Sequence, residues 1–238
     1  SGSYGSYESY STSKSWTLVN TQGTRTVTVQ FKDAAGNVAT AVTDTIILDT
    51  VDPTVVVTSP NGGESWNGTK TITWTTTDTN KYARIIYVST NGGSSWSSIS
   101  GATGDNGSYS WDTTGTSDSS QVRIKVYVWD YANNNATDIS NANFAVDNTA
   151  PTSNSISIAG GADYTTSASV TLTLASTGAS QMRFKNESGG TYTSYESYST
   201  SKSWTLGSSN GTKTVYAQFK DAAGNVATAV TDTITLDT

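Results

Sequence analysis

The sequence has no cysteine and no histidine, one methionine and three prolines. No disulfide can form, and no thiolate or imidazole can serve as nucleophile, general base or ligand. A Ser-His-Asp triad and a zinc site of Cys and His are therefore excluded. Charge is scarce too: 13 Lys and Arg stand against 19 Asp and Glu, a net charge of −6. That acidic balance argues against any nucleic-acid partner. No apolar run approaches the ~18 residues of a membrane-spanning helix, so no membrane insertion is expected, and nothing reads as a signal peptide. Two acids facing one cleft, as glycoside hydrolysis requires, are marked nowhere. No catalytic residue is assigned, and the chain is not read as an enzyme.

Hydroxyl side chains fill the space instead. The 36 Ser and 43 Thr make up about a third of the 238 residues. The sequence also repeats itself. Residues 1–50 align without a gap on 189–238 at a constant offset of 188, with 39 of 50 positions identical. Tyr7-Glu8-Ser9-Tyr10 returns as Tyr195-Glu196-Ser197-Tyr198, and Asp33-Ala34-Ala35-Gly36-Asn37 as Asp221-Ala222-Ala223-Gly224-Asn225. Asp130-Tyr131-Ala132-Asn133-Asn134 is a weaker echo. Such duplication reads as a supra-repeat of two diverged modules, cut from a longer array. Asp49-Thr50-Val51-Asp52-Pro53 and Asp147-Asn148-Thr149-Ala150-Pro151 punctuate it, because proline stiffens a link and extends its predecessor. The expected organisation is a partial module over 1–50, holding the last three or so strands, then full modules over 51–149 and 150–238. Their links are too short to be flexible tethers.

Alternation at period 2 dominates within the modules, and no window carries a helical stripe. Val122, Ile124, Val126 and Val128 alternate with Arg123, Lys125 and Tyr127. Val170, Leu172 and Leu174 behave alike, as do Val215, Ala217 and Phe219 with their counterparts Val27, Val29 and Phe31. Seven runs in the middle module, near 54–58, 70–76, 83–89, 95–100, 107–112, 121–129 and 139–146, predict an all-β, seven-stranded, immunoglobulin-like or fibronectin III-like sandwich. Trp16, Trp74, Trp111 and Trp204 lie on alternating runs and are expected in cores. Val27, Val29, Phe31, Ile46 and Leu48 have no complementary half in the chain and are expected to be exposed. Asp44 and Asp232 break the alternation. Each is read as turning outward at a bulge or edge, or as aimed at a cation or a backbone cluster.

The string Val215–Asn225 followed by Thr231–Thr238 resembles the tandem bacterial Ig-like domains of large surface and secreted proteins, with their D-x-A-G-N loop and D-x-T-x-P link. Ser59–Trp66, Ile72-Thr73-Trp74 and Ser89–Trp96 resemble the Ser/Thr-rich Ig-like module of secreted and cell-wall proteins. The resemblance implies an extracellular, cell-surface setting and a spacer, stalk, adhesin or filament role. It implies other copies of the repeat or other surface proteins as partners, and calcium at the junctions in some members.

Folding of a seven-stranded sandwich should bring the Asp130–Asn134 loop to the link before it, so Asp49, Asp52, Asp78 and Asp130 are candidate calcium ligands. At the next junction only Asp147 and Asp221 converge, a weaker set for a cation that takes six to eight oxygens. The competing reading is that each Asp caps its own loop. Tyr4, Tyr7, Tyr10, Tyr192, Tyr195, Tyr198 and the tryptophans suggest glycans as a further partner, which would make the chain a carbohydrate-binding accessory module of a secreted enzyme. Asn67, Asn106, Asn135, Asn186 and Asn210 head Asn-x-Ser/Thr triplets, which so much Ser and Thr produces by chance.

Overall fold

The computed structural model describes residues 3–104 and 106–238, and all regular structure among them is β-strand. Residues 54–146 form two sheets. One orders β3 (Thr54–Ser59), β5 (Thr69–Thr77) and β8 (Ser108–Asp112) as β3-β5-β8. The other uses β4 (Ser65–Trp66), β6 (Lys81–Ser89), β7 (Ser97–Thr103), β9 (Ser119–Asp130), β10 (Asn135–Ile139) and β11 (Phe144–Val146). Its order is β4-β11-β9-β6-β7, with β10 also on β9. Strand β9 shows why the layers form. Val122, Ile124, Val126 and Val128 are buried, and the polar residues between them are only half-buried on the outer face. Trp74 and Trp111 face them from the opposite sheet, and the Trp66 ring lies 5.3 Å from Phe144.

Residues 152–236 repeat the plan. Strands β12 (Thr152–Ile158), β14 (Ser169–Thr177) and β17 (Ser201–Thr205) order as β12-β14-β17. Strands β13 (Tyr164–Thr165), β15 (Gln181–Asn186), β16 (Glu196–Ser197), β18 (Gly211–Lys220) and β19 (Val230–Leu236) order as β13-β19-β18-β15-β16. The core between the sheets centres on Leu172, Phe184, Val215 and Phe219. In both units a short early strand runs parallel to the last one, while the long pairs are antiparallel. Each unit is an immunoglobulin-like, fibronectin III-like sandwich, as the alternation predicts.

The out-of-pattern carboxylates bind backbone across the sandwich. Asp232 accepts the Ile158 amide at 2.7 Å, and Asp138 of the middle module accepts the Val57 amide at 2.7 Å. Both amides lie on the first strand of their unit, whose pairing is irregular nearby. The outward-turned reading of Asp232 thus gives way to the backbone reading. Asp44 meets no such strand and accepts only from neighbouring Thr45, at 2.8 Å.

Among the described residues of 1–50 two strands form where three or so are expected: β1 (Gly23–Val29) and β2 (Val42–Leu48), paired from Gly23↔Leu48 to Val29↔Val42. The octapeptide Ser11–Leu18 is identical to Ser199–Leu206, which contains β17, yet it forms no strand. The reason is the partner: β17 hydrogen-bonds along β14, from Ser169↔Thr205 to Thr173↔Ser201, and nothing equivalent flanks 11–18. Trp16, expected in a core, is 66% exposed. Phe31 is 45% exposed and Ile46 56%, where Phe219 and Ile234 are buried.

Candidate functional site at the module junctions

The loop after β1, β9 and β18 has one construction in all three units. Its Asp accepts backbone amides, and its Asn returns a side-chain amide to the same carboxylate. Asn37 N donates to Asp33 Oδ1 at 2.8 Å, Asn134 N to Asp130 Oδ1 at 2.9 Å, and Asn225 N to Asp221 Oδ1 at 2.8 Å. The three Asn Nδ2 groups reach the other carboxylate oxygen at 2.8 Å each. The residue before the Asn has positive φ: Gly36 at 94°, Asn133 at 68° and Gly224 at 100°. Glycine adopts this region freely, and asparagine tolerates it better than most side chains.

The second proton of that Asn amide reaches the incoming link. Asn134 Nδ2 donates to the Asp49 carbonyl at 3.2 Å, and Asn225 Nδ2 to the Asp147 carbonyl at 2.7 Å. The preceding segment holds each link as well: at the first, Gln22 Oε1 accepts the Thr50 amide at 3.1 Å and its Nε2 donates to the Thr50 hydroxyl at 2.7 Å. At the second, Asp118 accepts the Asn148 amide at 2.8 Å and the Thr149 hydroxyl, and Asn67 Nδ2 donates to Asn225 Oδ1 at 2.9 Å. Sequence reasoning placed Asn134 and Asn225 at the ends of loops that near the links but assigned them no role. The triplicate Asp-x-x-x-Asn spacing carried the signal, but it did not show that one amide would serve two masters.

At the first junction Asp49, Asp78 and Asp130 each present a carboxylate oxygen, all within 4.8 Å of one another. Asp130 is fully buried and the other two half-buried, whereas Asp52 is exposed and stands outside the group. The Asn80 side-chain amide, 3.1 Å from Asp49 Oδ2, and then the Val51 N–H hold the Asp49 carboxyl below its usual range. Asn80 N also donates to Asp78. At the second junction Asp221 caps its loop, accepting from Gly224 N at 2.7 Å, and Asp147 accepts from Thr149 N at 3.1 Å. Gly178 there occupies the place of Asp78, one residue beyond β14 as Asp78 is beyond β5, and among the described residues no group of three carboxylates gathers at that junction.

An open, shallow depression lies between Tyr164, Thr165, Thr166 and Asp237. No helix among the described residues is long and apolar enough to cross a membrane.

Fold and junctions together define a tandem of Ig-like, fibronectin III-like modules. No family model matches the chain, and no curated protein does. Among solved structures it is similar to the fibronectin(III)-like modules of CbhA from Clostridium thermocellum, at 13% identity and a TM-score of 0.45, over 77% of this chain and 94% of that one. It is also similar to the FN1-FN3 domains of chicken CNTN1, at 15% identity and a TM-score of 0.45, over 90% of this chain and 76% of that one.

Proposed function

We propose that this chain is a non-catalytic structural or adhesive segment of a long extracellular repeat protein, a stalk, spacer, surface fibre or filament subunit at the cell surface. The observation that carries this reading is the asparagine clip at both links. A short link whose carbonyl is bonded by the following module resists bending, and that is the property a spacer needs. Small-angle scattering and residual dipolar couplings of the intact chain test it. The two modules should tumble as one body, and Asn225→Ala should loosen them. Equal freedom in parent and variant would remove the spacer reading.

Calcium belongs to this proposal at the first junction only. Asp49, Asp78 and Asp130 would hold the ion, and its charge would offset three like charges gathered in one place. Their oxygens already accept amide protons, as loop caps do. A thermal midpoint raised by calcium, lowered by chelator, and unresponsive in Asp78→Asn supports the ion; a midpoint indifferent to calcium removes it. The carbohydrate reading has weaker support. The outward rings of Tyr82, Tyr127, Trp129 and Tyr131 tilt against one another by 45° to 64° and make no single flat platform for a sugar.

A further inference from the structure

Charge is unevenly placed on this acidic chain. In the third module, residues of β15, β18 and β19 alternate between the core and an outer face. Arg183 and Lys185 point outward on β15 and Lys220 on β18, and no outward position of the three strands holds Asp or Glu. Tyrosine rings hold these cations instead. Arg183 lies 4.5 Å from the centre of the Tyr192 ring and 4.6 Å from that of Tyr195. Lys185 lies 5.0 Å from Tyr192 and 4.8 Å from Tyr216, and Lys220 lies 4.0 Å from Tyr195. The Arg183 guanidinium also gives two N–H groups to Gln218 Oε1, at 2.9 and 2.6 Å. Among the described residues none of the three cations is paired with a carboxylate; Glu187, one residue beyond β15, accepts the Thr214 amide instead. A ring attracts a cation without neutralising it, so these side chains are ordered while their charge stays free to attract an anion. The middle module uses the same device with other residues: Lys125, outward on β9, lies 4.6 Å from both the Tyr87 and the Trp96 ring.

We propose that the outer face of the third module binds an acidic polysaccharide. Lys220 lies opposite Gln181, and Arg183 and Lys185 follow along β15, so three charges form one row at steps of about 7 Å. Beside the row the face carries hydroxyls, with Thr214 paired to Thr233 and Thr212 to Thr235. Beyond them Tyr164 of β13 pairs with Thr235 and is 73% exposed. Three strand spacings, about 14 Å, separate Tyr164 from β15. A ligand that meets both is an extended polymer, with anions for the cations and a sugar face for the tyrosine ring. Asp163 and Asp237 flank Tyr164, which keeps the anions on the β15 side. Single-stranded nucleic acid stacks its bases on bare rings, whereas Tyr192 and Tyr195 each already lie against two cations. A protein partner is anchored by large apolar side chains, and the outward positions of these strands hold none but Tyr216. The inference gives the adhesive part of the reading above a ligand and makes no use of the junctions, so its failure would leave the spacer standing.

The full 238-residue chain is titrated with polygalacturonate, dextran sulfate and neutral dextran, and with single-stranded DNA as a rival polyanion. At least one acidic polysaccharide should bind, more weakly as salt rises, and neutral dextran should not. The tighter of the two names the anion as carboxylate or sulfate. Arg183→Gln combined with Lys185→Gln should weaken binding about ten-fold or more. Lys202→Gln, which removes a positive charge from the opposite sheet, should leave it unchanged. Tyr192→Ser alters no charge but frees two cations, and should weaken binding about three-fold. Thermal midpoints close to the parent's establish that the variants are folded, and Lys220→Gln replaces any that is not. Absence of binding, equal binding of neutral dextran, or tighter binding of DNA would each overturn the proposal. So would an equal loss in Lys202→Gln, or parental affinity in the double variant or in Tyr192→Ser.

Discussion

Asp232 and Asp138 occupy strand positions that pattern assigns to apolar residues, and each is retained by a single backbone amide across the sandwich. Removing either carboxylate would leave the amide of Ile158 or Val57 without its partner in a partly buried place. Asp232→Ala and Asp138→Ala should each cost about 1–3 kcal/mol in urea unfolding. Asp44→Ala, whose carboxylate serves only a neighbour, should cost much less. Acid acts on the same kind of group. The Asn80 amide lowers the Asp49 pKa, and the Asn148 N–H and Thr149 hydroxyl lower that of Asp118. A carboxylate with a depressed folded pKa lends stability above its unfolded pKa, and that stability is lost as pH falls through the folded value. Stability should therefore decline below about pH 4, and Asp118→Asn should flatten part of that decline. An identical acid limb in parent and variant would exclude Asp118 from it.

At the scale of elements, the chain contains its own control. Ser11–Leu18 and Ser199–Leu206 are the same octapeptide, one outside any strand and one containing β17. Ladder bonds and a buried face make the difference, because strand propensity is mostly a fit to neighbours. Native-state hydrogen exchange should find the amides of β17 protected and those of 13–17 open, although their intrinsic rates are equal. Phe219→Ala should cost about 3–5 kcal/mol, as large-to-small changes in cores do. Phe31→Ala should stay within about 0.5 kcal/mol, as surface changes do. Comparable costs at the two sites would mean that 1–50 is covered after all.

For the whole molecule, the two junctions are not equivalent. The second link is bonded by Asp118 of the preceding module and Asn225 of the following one, and Asn67 ties the two modules directly by donating to Asn225. The first link is bonded by Gln22 of the preceding segment and by Asn80 and Asn134 of the following module, and it gathers three carboxylates. If calcium binds, chelation should loosen the first link and leave the second unchanged, which interdomain couplings measured at each link would separate. The hairpin ahead of the first link presents Phe31 and Ile46 to solvent, a surface of the kind that associates.

The sequence by itself determined the class of fold and the periods of its strands. Alternation at period 2 encodes which side of a strand is apolar, and that property is local. The repeated Asp and Asn of the loops were equally legible, as was the approach of each loop to a link. Tertiary structure decided the rest. Trp16 and Trp204 lie in identical surroundings in the chain, and only the presence of β14 places one against a core. Asp52 looked equal to Asp49 in sequence, but the backbone turn gathers Asp49, Asp78 and Asp130 and leaves Asp52 in water. A side chain's fate depends on what folds against it, and that partner lies tens of residues away.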